Sequence, residues 1–129
     1  MAKIGLVVSD FNEGITSILE KVAEKAAKSL KAEVVKKIHV PGAFEIPFAA
    51  NILLKNKKIS AVAVLGVIAE GETQHDIIIR NAISSTLIEL SLKYNKPIGF
   101  GIIGPRVTLE QAKARAEEYA ERAIKSAAE

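Results

Sequence analysis

The chain has 129 residues, of which 49% are hydrophobic, contains no cysteine and carries a formal net charge of +3. This length accommodates one domain, residues 1–129, and the absence of cysteine excludes disulfides and thiolate metal sites. The lysines are interleaved with glutamates and aromatic residues are few, so a nucleic-acid-binding protein is not expected.

The amino-terminal apolar stretch is broken after a few residues, so it predicts a strand rather than a signal peptide. No segment approaches the roughly 20 apolar residues that a membrane-spanning helix needs. We therefore expect a cytoplasmic protein that does not bind membranes. The high apolar content of so short a chain also indicates that some apolar surface lies between subunits.

Strand and helix patterns alternate along the whole chain. Apolar runs predict strands at residues 3–9, 33–40, 59–68 and 97–103, and helical spacing predicts helices at residues 15–30, 49–55, 73–94 and after Thr108. Thr108 is expected to cap the last helix. The third strand has no polar alternation, which is typical of a strand buried on both faces of a parallel sheet. The pattern predicts a three-layer α/β fold, with a four-stranded parallel sheet flanked by helices on both faces.

The carboxyl ends of the four strands lie at one edge of such a sheet, where small ligands bind. The segments expected to reach this edge are residues 10–12, 41–47, 69–75 and 100–106. In the second segment Pro41 and Pro47 restrict the backbone, which places Phe44 and Glu45 in a stiff turn. This edge is the candidate site.

The polar residues of this edge have functional and structural interpretations. Thr73 precedes a helix whose N-terminus suits phosphate, or it only caps that helix. His75 is either a group that transfers protons near neutrality or a side chain that caps or packs. His39, inside a strand, is expected to be structural. The sequence lacks a P-loop, a nucleophile elbow and zinc ligands at suitable spacing.

Phe11, Phe44 and Phe100 are expected to arrive at the edge from three different strands. They either fill the core or form walls around a flat heterocycle. Arg115, on the last helix, is either an anion ligand or the partner of a nearby glutamate. Arg106 is a second candidate anion ligand or a solvated loop charge.

Several motifs occur together in a fixed order, namely Phe11-Asn12, Val40 to Pro47, Gly71-Glu72-Thr73-Gln74-His75, Phe100-Gly101, and Glu110-Gln111-Ala112 with Arg115. In this order and at these intervals the chain resembles the lumazine synthase family over nearly its entire length. The resemblance implies a flavodoxin-like fold and the penultimate step of riboflavin biosynthesis. In that step 5-amino-6-(D-ribitylamino)uracil condenses with 3,4-dihydroxy-2-butanone 4-phosphate to 6,7-dimethyl-8-ribityllumazine, releasing phosphate and water.

The resemblance also implies roles for individual residues. His75 is expected to transfer protons, and the phosphate is expected to be bound by Glu72 through its backbone, by Thr73 and by Arg115. The aminouracil and its ribityl chain are expected to contact Phe11, Asn12, Ala43, Phe44, Glu45, Val67, Ile68, Ala69 and Phe100. Phe100 and Arg115 match contacts that the family supplies from an adjacent subunit.

No metal and no organic cofactor are implied. The family forms homo-oligomers whose active sites are shared between adjacent subunits, either pentamers or icosahedral shells of twelve pentamers. Riboflavin synthase is a further expected partner. The sequence departs from the common pattern in a slightly longer segment at residues 104–108 and in Glu70, where many relatives have a basic residue.

Two alternatives accompany this interpretation. An archaeal-type riboflavin synthase has a related fold and would consume the lumazine instead of making it. A flavodoxin-like signalling or binding module, such as a response regulator, would need an acidic cluster with a phosphorylatable aspartate after the third strand. Residues 66–69 contain no such group.

Overall fold

The computed structural model describes residues 2–69 and 75–128. Strands and helices alternate within them as β1 (Lys3–Ser9), α1 (Glu13–Ser29), β2 (Glu33–Val40), α2 (Ile46–Leu54), β3 (Ala61–Ala69), α3 (His75–Tyr94), β4 (Ile98–Val107) and α4 (Leu109–Ala128). No helix in this described part is long and apolar enough to cross a membrane. The order of elements predicted from the sequence is confirmed.

The four strands form one parallel sheet in the order β2-β1-β3-β4. β1 pairs with β2, where Ser9 lies opposite Val40, and with β3, where Val8 lies opposite Leu65. Because all strands run in the same direction, their carboxyl ends lie at the same edge. The predicted α/β class with a four-stranded parallel sheet is confirmed.

An apolar core lies on each face of the sheet. Helices α1 and α4 cover one face, and α2 and α3 cover the other. The buried face of α4 consists largely of alanines, namely Ala112, Ala116, Ala120, Ala123 and Ala127. Their small size allows very close packing, since a Cβ built on Gly99 of β4 would lie 1.8 Å from the carbonyl oxygen of Ala123. Packing within the chain therefore accounts for this alanine-rich face.

The start of α4 is closed by a reciprocal pair of hydrogen bonds. The Gln111 N–H donates to Thr108 Oγ1 at 3.1 Å, and the Thr108 N–H donates to Gln111 Oε1 at 3.0 Å. This is a capping box, which satisfies two backbone donors that a helix N-terminus leaves free. Thr108 is the predicted cap.

Helix α2 begins earlier than the sequence pattern indicated. It starts at Ile46 instead of residue 49, and Pro47 lies in its first turn. A proline is tolerated there because the N–H that it lacks would have no partner within the helix. Ile46 is fully buried beneath the sheet edge.

Strand β4 is longer than predicted. It was expected to end at residue 103, but it continues through Gly104 to Val107. Pairing with β3 is irregular here, because Val67 lies opposite Ile103 whereas Ala69 lies opposite Val107. Gly104 has φ of 123°, which other residues rarely adopt, and so it provides the bulge that lets the strand continue.

Candidate active site

The turn after β1 presents an aromatic ring at the carboxyl edge of the sheet. The Asp10 N–H donates to the Val40 carbonyl at 2.7 Å, which ties this turn to the end of β2. Asn12 has a left-handed backbone with φ of 65°, and its carbonyl accepts a 3.0 Å hydrogen bond from the Thr16 N–H. Between these two anchors Phe11 is 56% exposed. The ring is therefore available to a ligand and does not fill the core.

The turn after β2 presents a second exposed ring. Residues Ala43–Glu45 form a short 3-10 turn, in which the Glu45 N–H donates to the Gly42 carbonyl at 3.2 Å. The carboxylate folds back over the glycine, since a Cβ on Gly42 would lie 3.3 Å from Glu45 Oε1. Phe44 is 70% exposed, whereas Ala43 and Glu45 are half-buried. This turn also contacts β3 and α3, so it lies beside the end of the central strands.

The end of β3 offers a ligand main-chain groups. Val67 and Ile68 are buried, so their side chains belong to the core. Ile68 has no partner in the register with β4, because the β4 bulge lies opposite it. Ala69 is the last residue of the strand. This arrangement is compatible with the expectation that residues 67–69 bind a heterocycle through their backbone.

Two buried polar atoms at this edge lack partners. Ser9 Oγ and Asn12 Nδ2 have no hydrogen-bond partner among the described residues. Ser9 is fully buried and lies against Gly66, whose Cβ would be 3.2 Å from that of the serine. Buried polar groups are normally hydrogen-bonded, so these atoms mark a place that suits a polar ligand. The sequence analysis did not identify Ser9. The one feature that sets it apart in the sequence is that a polar residue ends an otherwise apolar strand.

The segment that follows β3 carries the predicted phosphate ligands and the predicted proton carrier. Glu72 and Thr73 lie outside the described residues. His75 is the first residue of α3, so the prediction that it stands at the helix start is confirmed for its backbone. α3 contacts the turn at Ala43–Glu45, which carries Phe44.

Phe100 does not lie at this edge, contrary to the sequence prediction. It is the third residue of β4 and lies opposite Val64 of β3. The end of β3 at Ala69 is five residues further, which corresponds to roughly 16 Å along the strand. The expectation that three phenylalanines meet at one edge of a single subunit is therefore wrong. Phe100 was already the middle residue of the predicted strand at 97–103, and β4 extends further beyond it, to Val107.

Phe100 instead lines an apolar groove of about 360 Å³ between α3 and β4. The guanidinium of Arg80 lies 4.6 Å from the centroid of its ring, and Arg80 Nε–H donates to the Gly104 carbonyl at 2.9 Å. A second guanidinium nitrogen donates to Ser84 Oγ. Arg80 thus connects α3 to both the ring and the bulge of β4. The sequence analysis did not identify Arg80. The one feature that sets this residue apart in the sequence is that it follows three consecutive isoleucines.

Of the two arginines that are candidate phosphate ligands, Arg115 has a described side chain. Arg115 is exposed on the first half of α4. Of the two nearby glutamates that could pair with it, Glu117 and Glu118, the second pairs with Arg122 at 2.5 Å. The side chain of Arg106 lies outside the described part of the structure.

A charged network joins β2 to α1 beside the Phe11 turn. His39 Nδ1 lies 2.6 Å from Asp10 Oδ1, and His39 Nε2 lies 3.1 Å from Glu20 Oε2. Lys37 Nζ also contacts Glu20 at 2.8 Å and reaches Glu24 at 3.2 Å. His39, which the sequence led us to expect to be structural, therefore has charged partners in this network. The sequence gives one indication of these contacts. His39 is two residues from Lys37, so both side chains lie on the same face of the strand.

The network changes the protonation equilibria of its members. The hydrogen bond to Asp10, aided by the charge of Glu20, raises the pKa of His39 above its usual 6.5. Burial tends to raise the pKa of Glu20, but hydrogen bonds from Lys37 and His39 outweigh it and lower that pKa. The hydrogen bond to Glu20 raises the pKa of Lys37. All three shifts favour the charged forms.

Comparison with known proteins shows the family of this chain. The family model described as 6,7-dimethyl-8-ribityllumazine synthase matches residues 1–129, the whole chain. The chain belongs to the 6,7-dimethyl-8-ribityllumazine synthase family. It is accordingly an enzyme of this type, a transferase of riboflavin biosynthesis.

Individual members of the family match the chain almost from end to end. A 6,7-dimethyl-8-ribityllumazine synthase of Metallosphaera sedula is 47% identical over 125 residues, 97% of this chain and 83% of the relative. That of Staphylothermus marinus is 42% identical over 128 residues, 99% of this chain and 85% of the relative. That of Methanocaldococcus jannaschii is 42% identical over 127 residues, which cover 98% of this chain and 89% of the relative. These names favour the lumazine synthase interpretation over a riboflavin synthase or a signalling module.

Proposed function

We propose that this chain condenses 5-amino-6-(D-ribitylamino)uracil with 3,4-dihydroxy-2-butanone 4-phosphate at the carboxyl edge of its sheet. The observation that carries the proposal is the exposure of Phe11 and Phe44 on two anchored turns at that edge, in a chain that matches the family from end to end. Exposed aromatic rings can stack on the flat face of a planar ligand. A flat pyrimidine is a suitable partner for one of them.

The aminouracil and its ribityl chain are assigned to the turns and strand ends of this edge. Phe11 stacks on the pyrimidine, and Asn12, with its unpartnered amide nitrogen, lies beside it. The half-buried Glu45 accepts hydrogen bonds from the polar substrate. The remaining contacts are proposed for Ala43, Phe44, Val67, Ile68 and Ala69.

His75 is assigned the proton transfers. The primary amine attacks the C2 ketone and water is lost to give an imine. A proton is then removed from C3 while phosphate leaves from C4, and the resulting enol becomes a ketone at C3. The ribityl-bearing nitrogen attacks this ketone, and ring closure releases a second water. Each step needs a proton delivered or removed, which a histidine does well near neutrality. Holding both substrates at one edge supplies a further part of the rate. The phosphate is assigned to Glu72, through its backbone N–H, Thr73 and Arg115.

Direct synthesis tests the proposed reaction. Incubating the purified protein with both precursors should produce the lumazine, followed by its absorbance and fluorescence, and equimolar inorganic phosphate. A riboflavin synthase would instead consume added lumazine and form riboflavin. Failure to form lumazine from the two precursors would reject the proposal.

We further propose that the active site is completed by a second copy of the chain, within a pentamer or a shell of twelve pentamers. Phe100 lies inside β4, opposite Val64, and it lines an open apolar groove. Ile88 and Leu92 on the same groove are 61% and 77% exposed. Such a surface suits burial between subunits. The cytoplasm as its location and riboflavin synthase as a partner belong to the same proposal.

Replacing Leu92 by glutamate should disrupt this assembly, because a carboxylate would be buried in the apolar groove. We expect sedimentation velocity to show a smaller species than the unaltered protein, with loss of activity. Lys93→Glu on the next position of α3 is the control, since Lys93 does not line the groove. A monomeric wild-type protein with full activity would contradict the shared site.

Arg115→Ala should raise the KM for the phosphate substrate by roughly ten- to a hundred-fold, because hydrogen bonds to a charged group are the strong ones. The KM for the aminouracil should change little. The matched control is Arg122→Ala on the same helix, which removes an exposed pair with Glu118. An unchanged KM for the phosphate substrate would refute the assignment of Arg115.

A further inference from the structure

The charged network at the start of α1 is not used by the proposed reaction, yet it is attached to the turn that carries Phe11. His39 lies near the end of edge strand β2, and its Nδ1 is 2.6 Å from Asp10 Oδ1. Asp10 directly precedes Phe11. His39 Nε2 is 3.1 Å from Glu20 Oε2 in the middle of α1. One imidazole therefore connects β2, the Phe11 turn and α1.

The geometry requires a particular protonation state of this imidazole. Both ring nitrogens face a carboxylate oxygen, and ionised carboxylates only accept hydrogen bonds. A neutral imidazole has one N–H and one lone pair, so one of its nitrogens would point a lone pair at an anion. Only the imidazolium donates to both. The arrangement is therefore complete only when His39 is protonated.

The surroundings favour this cation without enclosing it. Lys37, on the same face of β2, shares Glu20 with His39 and also contacts Glu24. Glu13 lines the same depression as Asp10 and Glu20, so acidic groups face His39 from α1 and from the turn. The His39 side chain is 44% exposed and exchanges protons with bulk solvent. Its protonation thus follows the external pH.

We propose that His39 is a positioning residue whose protonated form holds Asp10, and with it Phe11, in place for the flat pyrimidine substrate. This inference depends on the proposed role of Phe11 as the stacking ring. A second anchor of the turn, the backbone bond from Asp10 N to Val40 O at 2.7 Å, does not titrate. Loss of the proton therefore loosens the turn without unfolding it.

The pKa of His39 determines how the affinity for the pyrimidine changes with pH. The pKa of His39 in the folded protein lies above 6.5 because of its bond to Asp10, so the double contact is complete below pH 6.5. It is lost as the pH rises through the raised pKa. Affinity for the pyrimidine is then expected to fall with rising pH, while the chemical steps at His75 are not affected by this contact.

The test compares His39→Gln with the unaltered oligomer between pH 6 and 9. At pH 6 the KM for the aminouracil should be about three-fold higher in the variant, the size expected for a largely exposed charged pair. The ratio of the two KM values should approach one at high pH, and kcat should be equal throughout. Asp10→Asn should give the same profile, and the double variant should show no further effect. A titration of His39 followed by NMR should have its midpoint in the range where the KM ratio changes.

Lys37→Met provides the matched control. It removes a cation from the same face of β2 and leaves both His39 contacts in place, so the KM should keep its dependence on pH. A KM ratio that is constant with pH, or a variant that loses kcat instead of affinity, would overturn the proposal. If the unaltered protein forms no lumazine, the proposed function fails, which is a different result from a pH-independent ratio in an active enzyme.

Discussion

Replacing His75 by alanine is expected to lower kcat by about 10²- to 10⁴-fold, with little change in either KM. The reason is the number of proton transfers in imine formation, phosphate loss and ring closure, for which His75 is the proposed carrier. Alanine is the best helix former, so α3, which begins at this residue, should still form. Single-turnover measurements of lumazine formation would separate the chemical step from product release.

The controls for His75 separate chemistry from folding. His75→Gln retains polarity and approximate size but does not titrate near neutrality, so it should be as slow as the alanine variant. Both should sediment as the unaltered protein does. Added imidazole should restore part of the rate of the alanine variant if proton transfer is what was lost. An alanine variant with the original kcat would remove His75 from the mechanism.

Much of the fold could be predicted because it depends on local patterns. The unbroken apolar run of β3 indicates a central strand, and the capping box at Thr108 marks the start of α4. The turn that begins at Pro41 and leads into α2 is likewise a local feature of the sequence. Each of these features is visible within a few residues, and the structure contains all of them.

The errors arise where distant contacts determine the conformation. Gly104-Pro105 is a typical strand end, yet β4 continues to Val107 through a bulge opposite Ile68. The Arg80 contact that supports this bulge connects residues 24 positions apart and leaves no local pattern. For the same reason the sequence predicted the shared direction of the four strands but not the extension of β4 beyond residue 103.

The network at His39 illustrates a further limit. Its members are 29 and 19 residues apart along the chain, and only the pairing of β2 with β1 brings the imidazole next to Asp10. A lone strand histidine is ordinarily structural, so the sequence favoured that interpretation. In the structure this one side chain contacts both Asp10, which precedes Phe11, and Glu20 of α1, and it is not among the residues proposed to bind the substrates.

Replacing Gly99 by alanine is expected to destabilise the fold strongly. The new Cβ would lie 1.8 Å from the carbonyl oxygen and 2.7 Å from the carbonyl carbon of Ala123. Both atoms belong to the backbone of α4, so no side-chain rotation relieves the clash and the helix must move away from β4. Such overpacking costs about 3 kcal/mol. The thermal midpoint should fall by roughly 10 °C, measured at a single scan rate.

Gly14→Ala is the matched control for this prediction. It adds the same methyl group to the first turn of α1, where a Cβ would meet no atom within 4 Å. Because alanine loses less backbone entropy than glycine in a helix, this variant should be unchanged or slightly more stable, by about 0.5 kcal/mol. Equal midpoints for the two variants would mean that α4 is not packed against β4 through Gly99. If only the Gly99 variant is lowered, the alanine-rich face of α4 is explained by contact with its own sheet.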